Sequence, residues 1–226
     1  MESENSQEFF SISDQGIKKL ADGIAAGTVG ENWQWTVDIK TELPVRIRRV
    51  GYGSTLPMTL IEMFEKTKNK IPFKTALRVK RGGKWQSWNF TEFYNDSRAF
   101  ACALMDFGIN PHKAVNILGF NAPEWHIAFL GSLFGMFLPV GVYTTNGPEA
   151  CQYIAEHSEA QVAVVENNEA LQKYFQIWDS LPELKLIVVW SDKLPENIPH
   201  SRKSAVILFS ELIKSGKANF NESSLL

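Results

Sequence analysis

Cysteine is scarce in this sequence. Its 226 residues hold two, Cys102 and Cys151, too few for a disulfide framework, so a reducing compartment is the default expectation. Histidine is scarce too, with only His112, His126, His157 and His200. No pair of them stands at metal-ligand spacing and no H-E-x-x-H occurs, so no metal site is expected. His126 follows Trp125 in an apolar helical stretch and reads as a surface or satisfied core histidine. Basic excess is missing: 23 Lys and Arg face 25 Asp and Glu, a net charge of −2. An electrostatic nucleic-acid binder shows the opposite balance, so no nucleic-acid partner is expected. The opening "MESENSQEFF" has neither the basic start nor the apolar run of a secretory signal. The final "SLL" lacks the basic residue of a peroxisomal tail. No G-x-S-x-G elbow, no G-x-x-x-x-G-K-[ST] and no G-x-G-x-x-G after a strand is present. The glycine-rich "GYGST" (Gly51–Thr55) has no core strand before it and reads as a turn.

What is present is apolar and well punctuated. Hydrophobic residues make up 44% and charged residues 21%, with seven Trp and fifteen Phe. That composition predicts one packed, aromatic-rich domain, alone or with tails. Residues 1–30 read as a tail with a short helix near Ile17–Leu20. "VRIRRVGYGS" (Val45–Ser54) alternates and then turns. Its three arginines read as a solvated strand face, with an anionic partner as the alternative. "TLIE" (Thr59–Glu62) fits a capping box that opens a helix to about Lys68. Gly82-Gly83 between two alternating runs is a hairpin signal. "NFTE" (Asn89–Glu92) opens another helix, with Phe93, Phe100, Leu104 and Phe107 on its apolar face and Gly108 and Pro111 ending it.

A pattern then repeats. The apolar runs Ala114–Phe120 and Leu138–Tyr143 are each followed by Asn-x-Pro-Glu, at Asn121–Glu124 and Asn146–Glu149, and then by a helical stretch. Asn121 and Asn146 read as caps, Pro as a first-turn residue, and Glu as a match for the positive helix end. "QVAVVE" (Gln161–Glu166) and "LKLIVVW" (Leu184–Trp190) are further strands, with the helical "NEALQKYFQIW" between them. Strands alternating with helices predict an α/β fold with a parallel sheet built of βαβ units.

No formal charge occurs between His126 and Glu149, which raises the alternative of a membrane span. A helix from Ala122 to about Phe137 would reach only about 24 Å, against the roughly 30 Å of a hydrocarbon core. Pro139 then interrupts the run. The stretch therefore reads as a buried helix, a turn and a buried strand. Gly131 and Gly135 would be a dimer face in lipid; in an α/β fold they let the helix sit close on the sheet. Peripheral membrane contact stays open. The loop Tyr143, Thr144, Thr145 and Asn146 is the candidate ligand rim, because ligands of open parallel sheets sit beyond the carboxyl ends of the strands. Plain capping is the competing reading of Asn121 and Asn146.

The stretch "ILGFNAPEWHIAFLGSLFGMFLPVGVYTTNGPEACQYIAEHSEAQVAVVENNEALQKYF", supported upstream by "LPMTLIEMF" and "KWQSWNFTEFY", resembles the N-terminal part of the bubblegum-type long-chain acyl-CoA synthetases of the adenylate-forming superfamily. The likeness covers roughly residues 43–214, leaving 1–42 as an N-terminal tail and 215–226 as a divergent C-terminal tail. It implies the first subdomain of an adenylate-forming enzyme's large domain, truncated. The implied reaction joins a long-chain fatty acid to CoA with ATP and magnesium. The family's Ser/Thr/Gly-rich phosphate loop ending in Lys and its C-terminal domain lysine have no counterpart here. The expectation is therefore a chain inactive alone, with no cofactor of its own and no transferable catalytic residue. The alternative is a non-catalytic acyl- or CoA-binding fragment, or one that docks a protein partner over the truncated sheet. By the same likeness Tyr143–Asn146 lie near the acyl and pantetheine route. A cytoplasmic location, peripheral to the endoplasmic reticulum membrane, goes with it.

Overall fold

A computed structural model describes residues 9–11, 46–48, 51, 54, 56–190, 193–196 and 198–218. The chain divides into two compact units, Met1–Thr59 and Leu60–Leu226. In the first, β1 (Phe9–Ser11) pairs antiparallel with β2 (Arg46–Arg48). β2 falls on the alternating arginine run, while β1 lies inside the segment read as a tail. The helix expected at Ile17–Leu20 lies outside the described residues. The Ser54 amide donates to the Gly51 carbonyl at 3.0 Å, which closes a turn where "GYGST" predicts one.

The second unit opens with α1 (Leu60–Lys70), then a hairpin of β3 (Thr75–Arg81) and β4 (Lys84–Asn89). Gly82 and Gly83 connect the strands at φ +53° and +77°, the left-handed pair that a two-residue hairpin turn requires. α2 (Phe90–Asp106) starts with a reciprocal cap. The Glu92 amide donates to Asn89 Oδ1 and the Asn89 amide donates to Glu92 Oε2, both at 2.8 Å, so two orphan donors are satisfied at once. Phe93, Phe100 and Leu104 are buried as their spacing predicts. Phe107 is not. The helix ends at Asp106, Phe107 is its cap, and Gly108 at φ +71° turns the chain away.

Five parallel strands follow: β5 (Ala114–Leu118), β6 (Leu138–Val142), β7 (Ala160–Val165), β8 (Leu186–Val189) and β9 (Val206–Leu208). Their order is β6-β5-β7-β8-β9. Helices α3 (Pro123–Phe134), α4 (Pro148–His157) and α5 (Asn168–Ile177) link the first four, and α6 (Phe209–Ala218) follows β9. The runs are apolar at nearly consecutive positions, interrupted by the buried Asn116 in β5 and Gln161 in β7, because both sheet faces are covered along the central strands. Val115, Ile117, Val162, Val164, Leu186 and Val188 pack into one cluster, with Phe64, Phe93, Phe100, Phe137 and Leu212. Ala114, Leu118, Ala163, Val165, Ile187 and Val189 pack into the other, with Cys151, Leu171, Tyr174 and Trp178.

Three local expectations are corrected. Asn121 and Asn146 do not cap: Ala122 and Gly147 hold the cap positions, with no side-chain cap bond, and Pro123 and Pro148 begin the helices. Proline needs no amide partner at that first position, and Asn121 Oδ1 turns instead to His126 Nε2 at 2.8 Å. The apolar helix stops at Phe134, not near Phe137. Met136 takes φ +57°, and the Phe137 amide folds back onto the Ser132 carbonyl at 2.8 Å, burying Phe137. Gly131 seats its helix against another helix, α2, where a Cβ would stand 2.7 Å from the Ser97 carbonyl and from Phe100 Cδ1. Gly216 of α6 does the same on the far side of α2, with a Cβ 1.9 Å from the Ala99 carbonyl oxygen.

Backbone cannot give way as a side chain can, so Gly216→Ala should destabilise the chain by about 2–3 kcal/mol and Gly131→Ala by somewhat less, in the range of overpacked cores. Gly147→Ala, with nothing within 4 Å of the added carbon, should cost no more than about 1 kcal/mol, from the poorer cap that alanine makes. Chemical denaturation midpoints check the order.

Candidate functional site

Strand order turns over between β5 and β7. β5 passes its chain outward to β6, while β7 passes it the other way to β8. Helices leave this point toward opposite faces, which opens a crevice above the carboxyl ends of the two strands, the usual ligand position of such sheets. Here a small cavity of about 70 Å³ is lined by Leu118, Gly119, Thr144, Glu166, Asn167 and Lys173, among others. Glu166 follows β7 directly. Its Oε2 accepts the Phe120 amide at 2.7 Å, while its own amide donates to the Leu118 carbonyl at 2.9 Å. The two strand ends are thereby clamped together. Asn167 Oδ1 accepts the Ala170 amide at 3.0 Å and caps α5.

The four rim residues read from the sequence form the turn after β6. The Asn146 amide donates to the Tyr143 carbonyl at 3.0 Å. Lys173 Nζ donates to the Thr144 carbonyl at 2.8 Å, so α5 holds the turn from beneath. Thr144 lines the cavity; Tyr143 stands out, 81% exposed. Phe120, after β5, is 72% exposed. Trp125 packs 3.5 Å from where a Gly141 Cβ would be and stacks on Phe129, with ring centres 5.7 Å apart. The rim therefore has aromatic groups on the β5/β6 side and charged ones on the β7 side. Lys173, Glu166 and Trp190 were not among the sequence candidates, because Glu166 and Lys173 reach the rim from the β7–α5 segment and Trp190 from the end of β8, both remote in sequence from the turn after β6.

Trp190 decides the depth of the crevice. Its amide donates to the Val165 carbonyl at 3.1 Å, and its ring lies on Gly119, where a Cβ would approach within 2.3 Å. Only glycine fits beneath that ring. Across Trp190 lies a second cavity of about 350 Å³ between the hairpin, α2, α3 and α6. Arg81 donates to both Glu124 oxygens at 2.8 and 2.7 Å. Asp96 accepts Trp88 Nε1 at 3.0 Å and pairs with Lys217 at 2.5 Å. A third hollow, an apolar groove of about 390 Å³, runs between α1 and α3 with Met63, Phe64, Phe93, His126, Phe129 and Leu130 in its walls.

Among the described residues Cys102, Cys151, Tyr174 and His126 are held in neutral forms. Burial pushes the Cys102 and Cys151 thiols up, away from the reactive thiolate. Tyr174 is fully buried beside Cys151, its hydroxyl without a hydrogen-bond partner, and burial raises it far above the usual tyrosine range. Burial lowers His126, so it is neutral near pH 7 and donates to Asn121 Oδ1. Among the described residues no group of three or more His, Cys, Asp or Glu side chains is placed to hold a metal ion. No helix among them is long and apolar enough to cross a membrane.

Residues 64–215 match the family described as AMP-binding enzyme. The chain belongs to that family. The long-chain-fatty-acid–CoA ligase ACSBG2 of Xenopus laevis is 37% identical to it over 166 residues, 74% of this chain and 22% of that protein. ACSBG1 of Rattus norvegicus is 34% identical over 183 residues, 81% of this chain and 24% of that protein. These are bubblegum-type ligases, as the sequence motifs indicate. The chain thus spans about a quarter of the length of its curated relatives. Among solved structures, the anthranilate CoA ligase AuaEII in complex with anthranoyl-AMP superposes with a TM-score of 0.61 at 24% identity, over 70% of this chain and 29% of that one. A benzoate CoA ligase from Burkholderia xenovorans LB400 gives 0.55 at 24%, over 68% and 27%. The α/β parallel sheet is therefore the fold of adenylate-forming enzymes.

His126 carries a pH prediction. Its folded pKa lies below the ordinary 6.5, so the unfolded chain binds the proton more readily. The contribution of neutral His126 is complete above about pH 6.5 and is lost as pH falls through that value toward the folded pKa. Lowering the pH from about 7 to about 5.5 should reduce the thermal midpoint of the parent chain more than that of His126→Gln. Equal slopes would remove His126 from the account.

Proposed function

We propose that this chain supplies the opening α/β layer of a long-chain fatty acid–CoA ligase. The observation that carries the reading is the 37% identity to a ligase of that kind over 166 residues, on a sheet with the adenylate-forming fold. In that reaction a fatty carboxylate oxygen attacks the α-phosphate of ATP, and pyrophosphate leaves. The CoA thiol then attacks the acyl carbon of the adenylate, and AMP leaves. Magnesium would accompany the phosphates, and no cluster for it lies among the described residues.

What the residues of this chain contribute is position rather than bond chemistry. Tyr143–Asn146 form a rim beside the acyl and pantetheine path, held to α5 by Lys173. Trp190 over Gly119 keeps the strand-end crevice shallow, so long substrates pass across it rather than into it. The 226-residue chain contains no Ser/Thr/Gly-rich phosphate loop ending in Lys, and by itself it forms no acyl-CoA. The apolar groove beside α1 favours a second reading, a non-catalytic acyl binder.

An activity assay tests the chain alone, and a chimera separates the two readings. Purified chain with ATP, magnesium, CoA and labelled palmitate should give no acyl-CoA above a protein-free control; product would overturn the account. A Xenopus ligase carrying this chain's matched segment should keep acyl-CoA formation within about tenfold of its parent, a barrier change of about 1.4 kcal/mol. Tyr143→Ala in that chimera should raise the KM for fatty acid or CoA with little change in thermal midpoint. A chimera that folds with the parent's midpoint but forms no acyl-adenylate would leave the acyl-binder reading in its place.

A further inference from the structure

Charge is not spread evenly over this acidic protein. From Lys66 to Thr91 there are eight Lys and Arg residues and no Asp or Glu. With a net charge of −2 overall, the rest of the chain is strongly acidic. The basic stretch covers the end of α1, the turn into β3, and the hairpin. Lys66, Lys70, Lys74, Arg78, Lys80 and Lys84 are all exposed. Among the neighbouring acids, Glu65 accepts the Tyr94 hydroxyl at 2.8 Å, Glu92 closes the α2 cap, and Glu124 pairs with Arg81 of the stretch itself.

Strand geometry sorts the hairpin into two faces. Leu77 and Trp88 are opposite one another and pack against the core. Alternation therefore sends Arg78, Lys80, Trp85 and Ser87 to the outer face. Lys80 stands opposite Trp85, and the Arg78 guanidinium lies over the Trp85 ring, 4.8 Å from its centre. Trp85 is 60% exposed and Phe73, in the turn before β3, is 86% exposed. Other aromatics are exposed too, but Trp85 and Phe73 lie within the basic stretch.

We propose that the outer face of the β3–β4 hairpin, with the α1–β3 turn, docks on an anionic lipid bilayer. Lysines near such a surface each strengthen binding by about fivefold. Tryptophan prefers the headgroup level, where its ring is half apolar and its N–H is wet. Single-stranded nucleic acid is the weaker fit, because base stacking needs an open ring face and Arg78 already covers one face of Trp85. This inference does not depend on the acyl-CoA reading.

The test is sedimentation of the full 226-residue chain with phosphatidylcholine vesicles, with and without phosphatidylserine, in low salt. Binding should require phosphatidylserine and weaken as salt rises. Lys80→Gln with Lys84→Gln should weaken it by about tenfold or more. Trp85→Ala should weaken it at every salt concentration. Lys203→Gln, an exposed lysine elsewhere, should leave it unchanged. All four positions are exposed, so circular dichroism should show parent-like melting; Arg78→Gln replaces any variant that melts early. Equal binding to neutral and anionic vesicles, indifference to the hairpin changes, or preference for single-stranded RNA at the same salt would each overturn the proposal.

Discussion

Both faces of the sheet are buried along β5, β7 and β8, and most other features of the second unit follow from that. A parallel strand with water on neither side must be apolar at consecutive positions, and β5, β7 and β8 are buried from end to end. Two helical layers are needed to cover them. One comprises α1, α2, α3 and α6 and carries most of the aromatic mass. The other is α4 and α5 with the turn around Trp178. The three helices α2, α3 and α6 share limited space, so they meet where side chains are missing, at Gly131 and Gly216.

Covering both faces leaves only the strand ends for chemistry. Amino ends are closed by turns such as the one holding the His112 amide to the Met136 carbonyl at 2.8 Å. Carboxyl ends open at the β5/β7 reversal, where Glu166 ties the strands, Lys173 ties the β6 turn, and Trp190 sets the floor. None of these groups is a nucleophile, and the buried thiols and Tyr174 are held in their neutral forms. An arrangement that fixes loops without perturbing a reactive group suits a layer over which substrates are positioned.

Charge follows a separate logic from the core. The hairpin packs on the core through Ala76, Leu77 and Trp88, which leaves its other face for Arg78, Lys80 and Trp85. The Arg81–Glu124 pair at its tip also fixes the hairpin to α3 through two charged hydrogen bonds, partly screened by water because the Arg81 side chain is 31% exposed. Whole-chain net charge conceals this segregation, because an acidic remainder offsets a basic segment.

The strand and helix sequence, the hairpin at Gly82-Gly83, the α2 capping box and the family likeness were all legible in the amino-acid order, since each rests on contacts or patterns within a few residues. The βα alternation also determined that the sheet is parallel, and the length of the uncharged run argued against a spanning helix. Tertiary structure decided the rest. Asn121 could not be known to prefer His126 over a cap until α3 was placed, and Gly131 could not be assigned to a helix rather than the sheet until α2 lay beside it. Phe107 left the apolar face because Gly108 turned the chain one residue earlier than periodicity implies. Thr144 after β6, Glu166 and Lys173 of the β7–α5 segment, and Trp190 after β8 meet because strand order reverses between β5 and β7. Sequence periodicity specifies which face of an element is apolar; which element covers that face is a matter of packing at a distance.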